Sequence, residues 1–447
     1  MKKPMFAPTL SELMAKLDLQ QVLPKILEVK ATPNGHYYHW DRLYHITPPD
    51  DLSHNEWWLG IKLARKTMLK SIQFYDKTQE PFQYSLPDNV NRMLHEVTQD
   101  ASGQIKLGEE VTNPITKKRY IVNSLIEEAI TSSQLEGAST TKNVAKQMIR
   151  SGRAPVTKSE HMILNNYLAM QFISENMNTE LTPKFIFQLH RIVTENTLDE
   201  PHTAGCFRTP DDDITVVDET GSVLHTPPDA SELPIRLQRM CQFANEISTA
   251  EFTHPVIRAI ILHFWLGYDH PFVDGNGRTA RAIFYWSMLS QGYWLAEFIS
   301  ISSILRKAPS KYAKSFLFTE TDENDLTYFI IYHLEVIQRA IQELKKYLSV
   351  KSQEVRAVEI LLRQAYEFNH RQLALLGHAL RHPGMQYSIR SHQTSHKVSY
   401  HTARQDLLDL VDRGLLTTRK AGRTSVFQAP HDLHDILKEK GDQAIHH

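Results

Sequence analysis

Residues 270–281 decide the expected fold and chemistry of this chain, and they read His270-Pro-Phe-Val-Asp-Gly-Asn-Gly-Arg-Thr-Ala-Arg281. The imidazole of His270 titrates near neutral pH and can accept a proton from an attacking hydroxyl. Asp274 offers the carboxylate oxygen that Mg²⁺ prefers, and substrate phosphates usually complete such a site. The first half of the segment therefore combines a base with a ligand for a hard cation.

The second half of the segment predicts a phosphate-binding turn. Gly275 and Gly277 flank Asn276, so the backbone can adopt positive φ and direct N–H groups at an anion. A helix that begins just after this turn would add a field favourable to phosphate. Arg278 and Arg281 share one face of that helix and can grip phosphate oxygens. Each residue alone is more often structural, but together they indicate phosphate chemistry.

This segment resembles the signature of the Fic family, His-Pro-Phe-x-Asp/Glu-Gly-Asn-Gly-Arg-x-x-Arg, and matches every fixed position. The resemblance implies a mainly α fold, with an all-helical core and one β-hairpin flap. It implies transfer of AMP from ATP, with Mg²⁺, to a Ser, Thr or Tyr hydroxyl of a target protein or of the enzyme itself. Pyrophosphate is released, and the enzyme is expected to be a homodimer. The roles implied are base for His270, magnesium ligand for Asp274, and nucleotide binding for Gly275, Asn276, Gly277, Arg278 and Arg281.

A second element precedes the signature in the chain. Residues 119–137 place apolar side chains at helical spacing, with Gly137 as a C-terminal stop. The end of this helix, Ser132-Ser-Gln-Leu-Glu136-Gly137, resembles the inhibitory motif Ser/Thr-x-x-x-Glu-Gly/Asn of Fic proteins that carry their own inhibitory helix. A Glu136 carboxylate bound to Arg281 would lie where the γ-phosphate belongs. Without the resemblance, Glu136 is an acid near a helix end with a surface role.

A third element predicts a hairpin between the first two. Residues 204–208 and 213–217 alternate in character, and Gly221-Ser222 marks a turn. The segment is similar to the Fic flap, which is thought to dock a target segment by strand addition. The candidate docking residues are Arg208, Ile214 and Val216. Read alone, the same residues fit an ordinary surface hairpin.

Composition sets outer bounds on the function. The chain has 447 residues, more than one core usually supports, so two or three domains are expected. Fifty Lys and Arg residues oppose 51 Asp and Glu residues, and the net charge of −1 gives no global signal for nucleic acid or membrane. Two cysteines, no signal peptide and no apolar run of about 20 residues predict a cytoplasmic protein with no membrane partner.

Three regions and a tail are expected along the chain. Residues 1–110 predict an N-terminal helical extension, and a loop at 99–104 separates it from the next region. Residues 111–348 form the expected Fic catalytic domain, which includes the inhibitory helix 119–137. Its other expected helices are 160–176, 182–198, 231–246, 254–268, 277–291, 311–318 and 325–348. Residues 431–447 form the tail, read as a further short helix.

Residues 352–430 differ in character from the catalytic region. They predict a helix at 354–366, an extended polar stretch at 387–398, an amphipathic helix at 399–414 and two strands within 415–428. The pattern resembles a winged helix, whose second helix can enter a major groove. The phosphate contacts would come from Arg404, Arg419, Lys420 and Arg423. Winged helices also dock proteins or form dimers, so DNA is one of several partners that the pattern allows.

Two alternatives to AMP transfer stay open at this point. Within the family, the same scaffold could transfer phosphate, UMP or phosphocholine, or remove AMP. Outside it, the chain could be a DNA-binding regulator whose Fic core senses nucleotide. The intact signature and Glu136 favour AMP transfer. The sequence identifies neither the target nor the event that relieves inhibition by Glu136.

Overall fold

The computed structural model describes the chain except residues 50, 102–113, 219, 247–251, 365–367, 382–383, 422–423, 431, 434 and 438–447. Arg423, part of the expected loop at 99–104 and most of the tail lie outside the described residues. The chain forms two compact units, one of residues 1–105 and 123–342, the other of residues 106–122 and 343–447. Over the described part of the chain, no helix is both long and apolar enough to cross a membrane.

The first unit is mainly helical, as expected. Its helices are α1 (Leu10–Lys16), α2 (Leu19–Ile26), α3 (Trp40–Leu43), α4 (His54–Lys66), α5 (Asp88–Ala101), α6 (Pro114–Leu135), α7 (Lys142–Ser151), α8 (Lys158–Glu175), α9 (Pro183–Thr194), α10 (Leu233–Ala244), α11 (Pro255–Asp269), α12 (Asn276–Ser290), α13 (Ile301–Leu305), α14 (Pro309–Glu320) and α15 (Thr327–Gln364). Short 3₁₀ turns are Pro33–Gly35, Pro201–Thr203, Pro210–Asp212, Ala230–Glu232 and Trp294–Phe298. Helices α6 and α15 contribute residues to both units.

Helices α11 and α12 form the centre of the first unit. Nearly every residue of both helices is buried, including the polar ones. A helix that is buried on all sides needs apolar neighbours on all sides, and α8, α9 and α10 supply several of them. The signature segment joins the end of α11 to the start of α12. The candidate site therefore lies at the junction of two buried helices.

A two-stranded hairpin in the N-terminal region was not expected from the sequence. Strand β1 (Lys70–Tyr75) pairs antiparallel with β2 (Pro81–Tyr84). Phe74 stacks on Phe82 at 4.1 Å and on Trp265 of α11 at 4.2 Å between ring centroids. Such stacked pairs add to the free energy gained from burial alone. These aromatic residues attach the N-terminal region to the central helix.

Helix α15 is longer than either helix expected there. It runs unbroken through Thr327–Gln364, where the sequence predicted one helix at 325–348 and another at 354–366. The residues between the two predictions, 349–353, include neither Gly nor Pro. Nothing in the local sequence therefore favours a break.

The second unit combines helices with a small sheet. In chain order it contains α16 (His370–Arg381), β5 (Gln386–Ser388), α17 (Ile389–His396), α18 (Tyr400–Asp412), β6 (Thr417–Ala421) and β7 (Thr424–Gln428). The sheet is antiparallel in the order β5-β7-β6. Its core is apolar, with Leu375, Leu376, Leu407, Leu410, Leu415 and Phe427 among its members.

The prediction of an extended stretch at 387–398 is wrong for most of those residues. Only β5 is extended, and α17 follows it at once. Ser388 caps α17, because its hydroxyl accepts from Ser391 N at 3.0 Å while Ser391 Oγ accepts from Ser388 N at 2.9 Å. This serine pair begins a helix whose polar composition hides its periodicity. Helix α16 was also not expected.

Candidate functional site

The signature segment forms a tight loop between two buried helices. His270 ends α11 with a left-handed backbone at φ 46°, and Gly275 precedes α12 at φ 82°. The side chain of Asn276 closes the loop, since its amide accepts from Phe272 N at 3.0 Å and donates to Phe272 O at 2.7 Å. A Cβ at Gly275 would lie 2.7 Å from Thr194 Cγ2, so both the backbone and the packing require glycine.

The tautomer of His270 follows from its hydrogen bond. Its Nδ1 lies 3.2 Å from the carbonyl oxygen of Gly267, which can only accept, so Nδ1 carries the proton. The lone pair of the ring is therefore on Nε2. Burial lowers the pKa of His270 to about 4, with its bond to Gly267 opposing the shift. At neutral pH the ring is uncharged and can accept a proton.

Arg208 supports the loop from the flap side. It is buried, and its Nε donates to His270 O at 2.8 Å while one terminal nitrogen donates to Pro228 O at 2.6 Å. Its backbone N–H donates to Pro271 O at 2.9 Å. All these acceptors are backbone oxygens of this chain. These contacts hold the signature loop, and the target docking expected of Arg208 stays a prediction.

The hairpin of the flap is shorter than the sequence predicted. Strand β3 (Val216–Val217) pairs antiparallel with β4 (Val223–His225), and residues 204–208 are not a strand. Ile214 and Val216 are half-buried, while 51% of Val217 is exposed. The alternation seen at 204–208 instead reflects a turn in which Gly205 has φ 69°.

His190 of α9 belongs to the site and was missed in the sequence. Its Nε2 bonds to Asp274 O at 2.8 Å, its Nδ1 accepts from Gly205 N at 2.8 Å, and its ring stacks on Phe272 at 3.7 Å. Burial lowers its pKa to about 4, which keeps the ring neutral. His190 lies on the apolar face of α9, where a histidine looks like an ordinary core residue. It therefore connects Gly205, at the start of the flap segment, to Asp274 in the signature segment.

Asp274 is the residue that the sequence predicts as a magnesium ligand. Its carboxylate is half-exposed; Oδ1 accepts from Gly275 N at 2.5 Å, and Oδ2 lies 3.4 Å from a terminal nitrogen of Arg278. Across the described residues, no group of three His, Cys, Asp or Glu side chains could hold a metal ion. One exposed carboxylate fits Mg²⁺, which keeps several waters and takes its other ligands from substrate phosphates.

The two signature arginines are almost fully buried. Arg281 donates from Nε to Ser132 Oγ at 2.8 Å, and from one terminal nitrogen to Ser132 O at 3.0 Å and Glu136 Oε1 at 2.8 Å. Arg278 donates to Val193 O at 3.1 Å, and its Nε has no hydrogen-bond partner among the described residues. Buried guanidinium groups with spare donors attract an anion strongly, because water does not screen them.

The Glu136 carboxylate lies over the first turn of α12. A Cβ built on Gly277 would overlap Glu136 Oε1. Glu136 follows the end of α6, where Gly137 turns the chain at φ 89° and Ala138 N donates to Ser133 O at 3.0 Å. The structure therefore brings Ser132 and Glu136 to Arg281, in the pairing that the inhibitory motif implies. Gly137 shapes the turn without touching the arginine.

Glu128 fixes α6 to the core and was also missed. Its buried carboxylate accepts from Ser302 Oγ at 2.5 Å, Ser302 N at 3.1 Å, Ser300 Oγ at 2.8 Å and Tyr285 OH at 2.9 Å. Tyr285 belongs to α12, as Arg281 does. A carboxylate this well satisfied holds the helix that carries Glu136 in one position.

Comparisons with known proteins agree with this geometry. Residues 180–288 match the model of the Fic/DOC family. The chain is 33% identical over 164 residues to protein adenylyltransferase Fic of Drosophila grimshawi, a match that covers 36% of this chain and 32% of the relative. The same protein of Drosophila virilis is 32% identical over 164 residues, with the same coverage. The chain thus matches about a third of the length of these relatives.

Solved structures show the fold. A Fic family protein from Desulfovibrio desulfuricans G20 superposes with a TM-score of 0.52 and 16% identity, covering 78% of this chain and 98% of that one. A fragment of Fic-1 from C. elegans gives a TM-score of 0.50 and 17% identity, covering 78% and 89%. These structures show the fold, and the match to the Fic/DOC family model is confined to residues 180–288.

Proposed function

We propose that this Fic-family chain is a protein adenylyltransferase, which transfers AMP from ATP to a hydroxyl of a target protein and of itself and releases pyrophosphate. The observation that supports this most is the place of the Glu136 carboxylate. It binds buried Arg281 at 2.8 Å, above Gly277 in the first turn of α12. An anion already occupies the position where a helix N-terminus and a guanidinium converge.

His270 acts as the base in this reaction. Its Nε2 accepts the proton of the target hydroxyl while that oxygen attacks the α-phosphorus of ATP. A new bond forms between the hydroxyl oxygen and the α-phosphorus, and the bond from the α-phosphorus to the bridging oxygen breaks. The Nδ1–H bond to Gly267 O holds the ring in this tautomer. Arg208 holds the backbone of the same residue.

The leaving pyrophosphate carries the charge that the site must stabilise. Arg281 and Arg278 supply donors, and the first turn of α12 supplies backbone N–H groups. Asp274 would hold Mg²⁺, which when bound neutralises phosphate charge. Because these groups are fixed by buried helices, they need little reorganisation as charge develops.

Glu136 acts as a built-in inhibitor of this transfer. Its carboxylate takes the Arg281 donor that the γ-phosphate needs, so nucleotide in a productive pose and the Glu136–Arg281 pair exclude one another. Ser132 keeps Arg281 in place through two further bonds, and Glu128 keeps α6 on the core. Release of Glu136 therefore frees a guanidinium that is already positioned. A homodimer remains a prediction from the resemblance, and a cytoplasmic location remains a prediction from the composition of the chain.

Labelling with ATP tests the reaction. The full chain, a Glu136→Ala variant and a Glu127→Ala variant are incubated with ATP that carries radiolabel on either the α- or the γ-phosphate. Glu127 is the matched control, since it lies on α6, the helix that Glu136 follows, but pairs with surface Lys142 at 2.6 Å. We expect label from the α-phosphate only, strongly in Glu136→Ala and weakly in the other two.

The other transfers predict different results in the same experiment. Label from the γ-phosphate would indicate phosphate transfer and overturn the proposal. Equal α-label in all three proteins would remove the inhibitory role of Glu136 but keep the transfer. Loss of AMP from a premodified protein, without incorporation, would indicate removal of AMP.

A further inference from the structure

We propose that the second unit binds duplex DNA through a surface made by α17, α18 and the start of the β6–β7 hairpin. These elements carry exposed Arg390, Lys397, Arg404, Arg419 and Lys420, of which the last two are neighbours on β6 and lie on opposite faces of the sheet. The proposal concerns a separate site and does not depend on AMP transfer by the first unit.

Charge is segregated in this unit. Residues 368–405 contain no Asp or Glu, although the chain as a whole has a net charge of −1. The same stretch contains five Lys and Arg residues, namely Arg371, Arg381, Arg390, Lys397 and Arg404. A local excess of cations in a neutral chain is the electrostatic pattern that attracts nucleic acid.

The first acidic side chain of α18 points into the protein. Asp406 is buried and accepts from Arg371 Nε at 2.7 Å, from Asn369 Nδ2 at 2.8 Å and from His392, whose Nε2 lies 3.2 Å away. These bonds neutralise the carboxylate and tie α16 and α17 to α18. The Asp406 carboxylate is therefore not available to offset the cations on the outer side of this helix.

The Asp409 carboxylate also has hydrogen-bond partners within the unit. Gln372 Nε2 donates to it at 2.7 Å, and Arg413 Nε donates to it at 3.1 Å. Asp412 is exposed, but it lies eight residues beyond Arg404. At the rise of an α-helix this separation is about 12 Å along the axis. The N-terminal half of α18 is thus free of exposed acid.

This half of α18 presents one polar stripe. Tyr400, His401, Arg404 and Gln405 are exposed, while Ala403 and Leu410 on the other side are buried. Their spacing, i, i+1, i+4 and i+5, places them on one face of the helix. An α-helix fits the major groove of B-DNA. In that groove, Arg makes two hydrogen bonds to a guanine edge, and Gln makes two to an adenine edge.

The neighbouring elements add groups that contact phosphates. Helix α17 exposes the hydroxyls of Ser391, Thr394 and Ser395 beside Arg390. The edge strand β6 exposes Arg419 and Lys420.

The composition of the surface favours DNA over a protein partner. Tyr400, at 56% exposed, is the one large apolar side chain exposed on the described part of α17 and α18. Protein interfaces usually have a more apolar centre than this.

Fluorescence anisotropy of the full chain with a labelled duplex of about 24 base pairs tests the proposal, at NaCl concentrations from about 50 to 200 mM. We expect Lys397→Ala/Arg404→Ala to weaken binding at least about tenfold. We also expect the slope of log affinity against log salt to be shallower by about 0.9, the value of one lost phosphate contact, from Lys397. The control is Lys25→Ala/Lys66→Ala, which removes two exposed cations of the first unit and should bind like the unmodified chain.

Three outcomes would overturn the proposal: no binding by the unmodified chain at the lowest salt, an equal loss in the control, or tighter binding to polyglutamate than to the duplex. The last would indicate an acidic protein partner. Auto-labelling by ATP is measured on the same variants. Unchanged labelling with lost DNA binding supports two separate sites, and failure of either activity leaves the other interpretable.

Discussion

Arginines appear in two opposite settings in this molecule. In the first unit, Arg278 and Arg281 are about 1% exposed and sit among helices. In the second unit, Arg390 and Arg404 stand in solvent. A buried cation must have a partner, because desolvation without one is costly, whereas an exposed cation is satisfied by water. The buried arginines therefore require anions: Glu136 pairs with Arg281, and the Asp274 carboxylate lies 3.4 Å from Arg278.

The largest effect should come from removing the base beside the buried arginines. In a Glu136→Ala background, His270→Ala should lower the rate of auto-labelling by roughly 10²–10⁴-fold, the usual contribution of a positioned base. Single-turnover labelling with ATP measures this. Nucleotide affinity should change little, since the arginines remain. A rate within a few-fold of the background variant would contradict the role of His270.

Burial should also move the pH dependence of the reaction. The neutral ring of His270 is the active form, so activity is present above its pKa and lost as the pH falls through it. Burial lowers that pKa to about 4. Activity of Glu136→Ala at about pH 5.5 should therefore stay close to its value at neutral pH. A base with the ordinary value of about 6.5 would lose roughly nine-tenths of its activity there. A pH profile, with circular dichroism to confirm folding, separates the two.

Removing the anion from Arg281 should cost stability. Glu136→Ala takes the carboxylate away from a buried guanidinium that keeps its two bonds to Ser132, so the free energy of unfolding should fall by about 1–3 kcal/mol. Pyrophosphate should restore more stability to this variant than to the unmodified chain, because it replaces the lost carboxylate. Thermal unfolding with and without pyrophosphate measures both. Equal stabilisation of the two proteins would show that the anion does not bind Arg281.

The smallest effect should come from the exposed arginines. Arg404→Ala should change the free energy of unfolding by less than about 0.5 kcal/mol, since its side chain is solvated. Urea unfolding checks this. A large loss of unfolding free energy would show that Arg404 packs within its unit. The contrast between buried and exposed arginines would then not hold.

The sequence predicted well where chemistry and local geometry coincide. His270, Asp274, Arg278 and Arg281 lie together because the segment that carries them is short and its turn depends on Gly275. The helices that carry the candidate site were also expected. The mainly α fold is confirmed.

Residues that act through distant contacts were not predictable. His190 reaches Asp274 from 84 positions away, and Glu128 reaches Ser302 across 174. Neither stands in a motif, and each looks like part of a helix. Helix α17 was missed for a local reason, since its capping serines are visible but its apolar stripe is not. The assignment of Arg208 to target docking rested on its place in the flap, and only its burial revealed its backbone partners.

The packing of Gly277 depends on the Glu136 side chain. Because a methyl group at 277 would take the space of the Glu136 carboxylate, any side chain there requires that carboxylate to shift. A substitution at 277 would therefore disturb the Glu136–Arg281 pair as well as the turn itself. A lineage that keeps this pair has one more reason to keep the glycine.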